Sequence, residues 1–135
     1  MAERTGAEGE AARAIGRFSV PNLRAAWWAV RTARRTRLRL RNENLDAALF
    51  PPPPPPLPAA AERGVQAALR RRGHACLVRS IVMQVWLAAH GDRRDLIIGV
   101  RGPNEEFGAH AWLEGEPAHS DGPFHEILRR PVPTG

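Results

Sequence analysis

CLVRSIVMQVWLAA, residues 76–89, is the stretch on which the fold turns. Leu77, Val78, Ile81, Val82, Val85, Trp86 and Ala89 cover most of one broad helical face, so this helix is expected to be the buried one. Gly91 predicts where it ends. The helix opens on Cys76, the only cysteine in the chain. A thiol in a first helical turn sits beside unpaired backbone N–H groups and the positive dipole end, which favour a thiolate. Those N–H groups can also receive the oxyanion of a tetrahedral intermediate. A lone cysteine is often just a small buried hydrophobe, so the chemistry needs a base from elsewhere in the chain.

Two β-type segments follow, residues 96–100 and 109–114, joined by a loop rich in Gly, Pro, Asn and Glu. A weaker third strand is expected over 117–121. His110 stands at the start of the second segment. The run Glu114, Gly115, Glu116, Pro117 reads as a tight turn with Gly115 and Glu116 central, so that 114 pairs with 117. In that register His110 faces Asp121, and directly opposed residues have Cβ atoms ~4.5–5.5 Å apart. A carboxylate at that distance can hold an imidazole by one nitrogen. Glu114 is the rival acid, but it lies roughly 13 Å along the same strand. Asp92 and Asp95 border a different turn, where they are expected only to cap it. Cys76, His110 and Asp121 are therefore the candidate nucleophile, base and orienting acid.

Upstream, residues 59–72 read as a helix with Ala60, Val65, Ala68 and Leu69 apolar and Gly73 as its stop. Six consecutive prolines, 51–56, with Leu57 and Pro58 after them, must adopt polyproline II and read as a stiff spacer. Residues 21–41 read as a helix, with Pro21 in the first turn and Leu23, Trp27, Val30 and Arg34 at helical spacing. Residues 1–16 carry no apolar period. The expected division is residues 1–58, an Arg-rich helical arm with a polyproline linker, and residues 59–135, the core. Helices followed by a short antiparallel sheet make the fold class α+β.

The net charge of +6 is unevenly spread. Residues 1–75 hold 14 Arg against 6 acids, and residues 76–135 hold 6 Arg against 8 acids. Every basic residue is Arg, a bias that a GC-rich genome produces unaided. Six of residues 31–41 are Arg, which makes either a solvated helix face or a docking surface for an acidic partner, with Arg34, Arg35 and Arg37 as candidate contacts. Nucleic-acid readers add aromatic platforms or a known motif, and Trp27 and Trp28 alone do not make one. No apolar run approaches the ~18 residues of a membrane span. The first 20 residues lack the apolar segment of a secretory signal, and one cysteine forms no internal disulfide, so a cytoplasmic location is expected. There is no zinc-ligand spacing and no glycine-rich phosphate loop, so no metal or cofactor is expected. Among the other histidines, His90 closes the helix, His74 neighbours the nucleophile, and His119 and His125 have no obvious partner.

Four blocks resemble those of a lasso peptide leader peptidase, a transglutaminase-like cysteine protease. They are residues 76–80 (CLVRS), 97–101 (IIGVR), 110–114 (HAWLE) and 120–121 (SD). The resemblance covers about residues 62–130, and the length suits the split form of the enzyme. It implies a papain/transglutaminase-like core, with a nucleophile helix plus a small antiparallel sheet. By motif it implies a triad of Cys76, His110 and Asp121. It implies removal of the leader from a ribosomally made precursor peptide, with a leader-recognition protein and a lasso cyclase as partners. Arg79 and Ser80 share the first block; Ser80 is expected to pack and Arg79 to pair or stack near the cleft. Gln66 is only loosely placed as a papain-like oxyanion glutamine. Two alternatives stand beside this reading: acyl transfer to an amine by the same triad, and a catalytically silent Arg-rich binding module.

Overall fold

A computed structural model of the protein describes residues 19–42, 51–71, 75–101, 108–116 and 124–133. In chain order these form α1 (Val20–Asn42), a 3-10 turn (Ala59–Ala61), α2 (Glu62–Arg71), α3 (Cys76–Ala89), β1 (Leu96–Arg101), β2 (Ala109–Leu113) and β3 (Phe124–Arg130). The class is α+β.

Helix α1 starts where Ser19 caps it. The Ser19 hydroxyl accepts from Asn22 N–H at 3.3 Å, and Pro21 occupies the first turn, where its missing N–H costs nothing. Arg39 and Arg41 in the last turn complement the negative dipole end. The buried face is Asn22, Ala25, Ala29, Thr32, Ala33 and Thr36, a stripe of small residues. The buried Thr36 hydroxyl is satisfied by donating to Thr32 O at 2.8 Å. Leu23 and Trp27, expected on the apolar face, are exposed instead. The reason is the closeness of α2. A Cβ on Gly64 would lie 2.1 Å from the backbone oxygen of Asn22, so only small side chains fit between these two helices.

Helix α3 has core on two sides. Val78, Val82 and Trp86 pack with Ala25, Ala29 and Ala33 of α1 and with Val65, Ala68 and Leu69 of α2. Ile81 packs instead with Leu96, Ala111 and Leu113 of the sheet. Each large apolar side chain so enclosed contributes about 1.5–3 kcal/mol. The Arg-rich helix and the elements after residue 58 thus share one core. Trp28 joins it by packing on Trp86, ring centroids 5.8 Å apart. Pro58 has polyproline-like backbone angles (φ −65°, ψ 149°). The segment is tied down by His90, whose ring nitrogens lie 2.8 Å from Leu57 O and 2.8 Å from Trp86 O.

The sheet is antiparallel, in the order β2-β1-β3. The third strand is β3, which joins β1 on the side away from β2; the expected strand over 117–121 lies outside the described residues. Pairing of β1 with β3 slips between Ile98 and Gly99, leaving Ile127 as the extra, exposed residue of a bulge. Gln84 ties α3 to the end of the sheet where β1 begins and β3 finishes, donating to Arg94 O at 2.9 Å and Arg130 O at 3.1 Å.

Candidate active site

Cys76 is the first residue of α3 and its thiol is free and partly buried. Ala75 before it is extended (φ −57°, ψ 150°) and offers no side-chain cap. Arg79 N–H donates to Ala75 O at 3.1 Å, so the N–H groups of Cys76, Leu77 and Val78 precede the first intrahelical bond. The positive dipole end is concentrated on those groups. The side chain itself packs against the sheet-facing cluster of Ile81, Leu96, Ala111 and Leu113.

One turn along, the buried Ser80 hydroxyl donates to Ala111 O at 3.3 Å. This bond fixes the helix headed by Cys76 to β2 one residue from His110. Alternation along β2 turns Ala111 and Leu113 toward α3, while His110 and Trp112 take the other face. There the imidazole stacks on Trp112 (5.8 Å, 19°) and lies 5.5 Å from the Phe124 ring. The Arg101 guanidinium lies over the Phe124 ring, 5.1 Å from its centroid. Because β2 is an edge strand of the described sheet and His110 its second residue, the imidazole stands at the sheet margin.

Gly99 is the direct strand partner of His110. A Cβ there would lie 2.8 Å from Trp112 Cη2 and 3.0 Å from Trp112 Cζ3. The glycine therefore leaves the space in which the indole lies beside His110. A glycine inside an apolar strand, with an aromatic two residues past a histidine, is the sequence signal that would have found this cluster.

The turn after β2 is one residue earlier than the spacing suggested. Glu116 N–H donates to Leu113 O at 3.0 Å, and Gly115 has φ +90°. The central residues are Glu114 and Gly115, because the third turn position requires positive φ and only glycine adopts it without strain. Direct opposition of His110 and Asp121 does not follow from this turn. Asp121 lies outside the described residues, as do His74 and His119.

The rival acids are engaged elsewhere. Arg129 pairs with Glu114 at 2.9 Å, Asp95 at 3.1 Å and Glu126 at 2.8 Å, drawing the ends of all three strands together. The hydrogen bonds that Arg129 donates to Glu126 and then to Asp95 raise its pKa above the ordinary arginine value. Asp92 pairs with Arg94 at 3.1 Å, which likewise raises the arginine pKa. Gln66 is exposed on α2 and donates to Glu62 of its own helix at 3.4 Å. Arg79 is exposed and His125 is exposed on β3. Arg34, Arg35 and Arg37 are exposed on α1. Among the described residues, no three His, Cys, Asp or Glu side chains cluster as metal ligands would, and no helix is long and apolar enough to cross a membrane.

A family model described as the transglutaminase-like superfamily matches residues 19–127, from the cap of α1 into β3. The match takes in the Arg-rich helix and the proline run as well as the cysteine and histidine blocks. No curated protein and no solved structure is significantly similar to the chain.

Proposed function

The chain belongs to the transglutaminase-like superfamily, whose cysteine-dependent enzymes include peptidases and acyltransferases, and from that premise we propose that it is a cysteine peptidase with Cys76, His110 and Asp121 as its triad. The observation that carries the proposal is Cys76 at the tip of α3, with Ser80 one turn away bonded to the carbonyl beside His110; the ring takes the other face of β2, so the reaction requires it to swing round this edge strand to the thiol. In the proposed reaction His110 takes the Cys76 thiol proton. The thiolate attacks the scissile carbonyl, and first-turn N–H groups hold the oxyanion. The intermediate collapses as the imidazolium gives its proton to the leaving amine. Water, deprotonated by His110, then hydrolyses the thioester and regenerates the thiol. Asp121 holds the imidazole in one tautomer and stabilises its charged form.

The proposed substrate is the precursor peptide of a lasso peptide, cut at the leader–core junction. The blocks at residues 76–80, 97–101 and 110–114 support this choice. The proposed partners are a leader-recognition protein, with Arg34, Arg35 and Arg37 as candidate contacts, and the cyclase that closes the freed core. The test is incubation of precursor with protein and leader-recognition partner, read by mass. Release of intact leader and core, lost in Cys76→Ala, is expected. Acyl transfer would show as leader joined to added amine. An uncut precursor, or cleavage that survives Cys76→Ala, overturns the proposal.

A further inference from the structure

A cleft of about 470 Å³ lies between α1 and the proline run, away from Cys76. Leu23, Trp27 and Trp28 form its apolar side on the helix, and prolines from Pro51 to Pro55 form the opposite wall. Arg24, Arg31 and Arg35 border it, and among the described residues no Asp or Glu lines it. Five large apolar side chains are exposed among the described residues, and three of them line this cleft: Val20 (68%), Leu23 (57%) and Trp27 (64%). Exposed apolar side chains gathered along one cleft offer a surface that a partner can cover.

We infer that this cleft binds an extended acidic peptide segment carrying bulky apolar side chains. Charge complementarity names the occupant. Helix α1 carries seven arginines and no acid, and the three at the cleft present guanidinium groups that match carboxylates in fork geometry. At ~1.5 Å per helical residue, Arg24, Arg31 and Arg35 stand about 10 and 6 Å apart along the axis. Same-side residues of an extended peptide recur every ~6.6–6.8 Å, so neighbouring carboxylates on it can meet Arg31 and Arg35. The proline wall selects a peptide over a nucleic acid. Proline has no N–H, so the wall presents only carbonyl acceptors. A peptide brings N–H donors to such a wall; a phosphate backbone brings more acceptors. The apolar floor has use for leucine or aromatic side chains. The inference does not depend on the chemistry at Cys76.

The test is fluorescence anisotropy with the full chain and a labelled decapeptide alternating Glu and Leu. Saturable binding is expected. Arg31→Glu or Arg35→Glu should weaken it about tenfold or more, as expected when a desolvated charge contact is reversed. Trp27→Ala, at an exposed position, should weaken it severalfold. Arg41→Glu makes the same change of charge outside the cleft and should weaken it less than about twofold, as a rim charge does. Peptides alternating Lys with Leu or Glu with Ser should bind poorly, as should a ten-nucleotide thymidine strand. Absence of saturable binding by the Glu–Leu peptide overturns the inference. So does equal loss from Arg41→Glu and Arg31→Glu, equal binding of the Glu–Ser peptide, or tighter binding of the thymidine strand.

Discussion

The Ser80 hydroxyl donates to the carbonyl oxygen of Ala111 across 3.3 Å, and so joins the helix headed by Cys76 to the strand that carries His110. The two elements come from distant parts of the chain. Apolar packing of Ile81 on Ala111 and Leu113 holds them face to face, but packing alone is tolerant of sliding. A directional bond between buried groups is not.

Ser80→Ala therefore separates position from stability. It leaves Ala111 O without its donor, at a cost of about 1–3 kcal/mol. We expect a modest fall in melting temperature. We also expect a disproportionate fall in the rate at which precursor peptide is cleaved, measured under conditions where the variant is fully folded. Unchanged turnover in the folded variant would mean that this bond does not position the site.

Gly64→Ala should be the most damaging single methyl in the helical layer. Its Cβ would meet Asn22 O, C and Cα, all backbone atoms, at 2.1, 2.9 and 3.1 Å. Neither helix can yield a side chain, so α1 and α2 must move apart and open the alanine stripe. Overpacking of this kind costs about 1–3 kcal/mol or more. Denaturant titration should show the loss in the midpoint.

Gly99→Ala tests the outer face of the sheet. Its Cβ would press on the Trp112 ring at 2.8 Å, and on His125 O at 3.1 Å. The indole can turn where backbone cannot, so the stability cost should be below that of Gly64→Ala. The displaced ring stacks on His110, so cleavage should suffer more than folding. Activity and melting temperature measured side by side check this.

His90→Ala removes the ring that bridges Trp86 O and Leu57 O. It should lower stability by about 1–3 kcal/mol. It should also make the proline run more accessible to a proline-directed protease, read by limited proteolysis. Cys76 chemistry should persist, since His90 is at the other end of α3.

Much of this architecture was legible in the sequence. Helix α3 showed itself because its apolar residues cover a broad face and Gly91, with φ +84°, stops it. Strands β1 and β2 showed themselves by their aliphatic runs. Strand β3 did not, since His125, Glu126, Arg129 and Arg130 dilute it and the bulge at Ile127 breaks its alternation. The packing face of α1 was misread for a different reason. Leu23 and Trp27 dominate any hydrophobic pattern, yet the close approach at Gly64 admits only Ala and Thr. The docking of the proline run left no trace either, because polyproline II has no internal hydrogen bonds and no amphipathic period to read. Cys76 and His110 were singled out by residue type and position, whereas the bond from Ser80 to Ala111 depends on tertiary register.

The central claim is that His110 activates Cys76. It is tested most directly by the rate of Cys76 alkylation by iodoacetamide near pH 6, followed by intact mass, in the wild type and in His110→Ala. The account predicts wild-type alkylation well above that of a free cysteine in a short peptide, falling to that level in the folded His110→Ala protein. A wild-type rate no faster than the peptide's, or one that His110→Ala leaves unchanged, would contradict it.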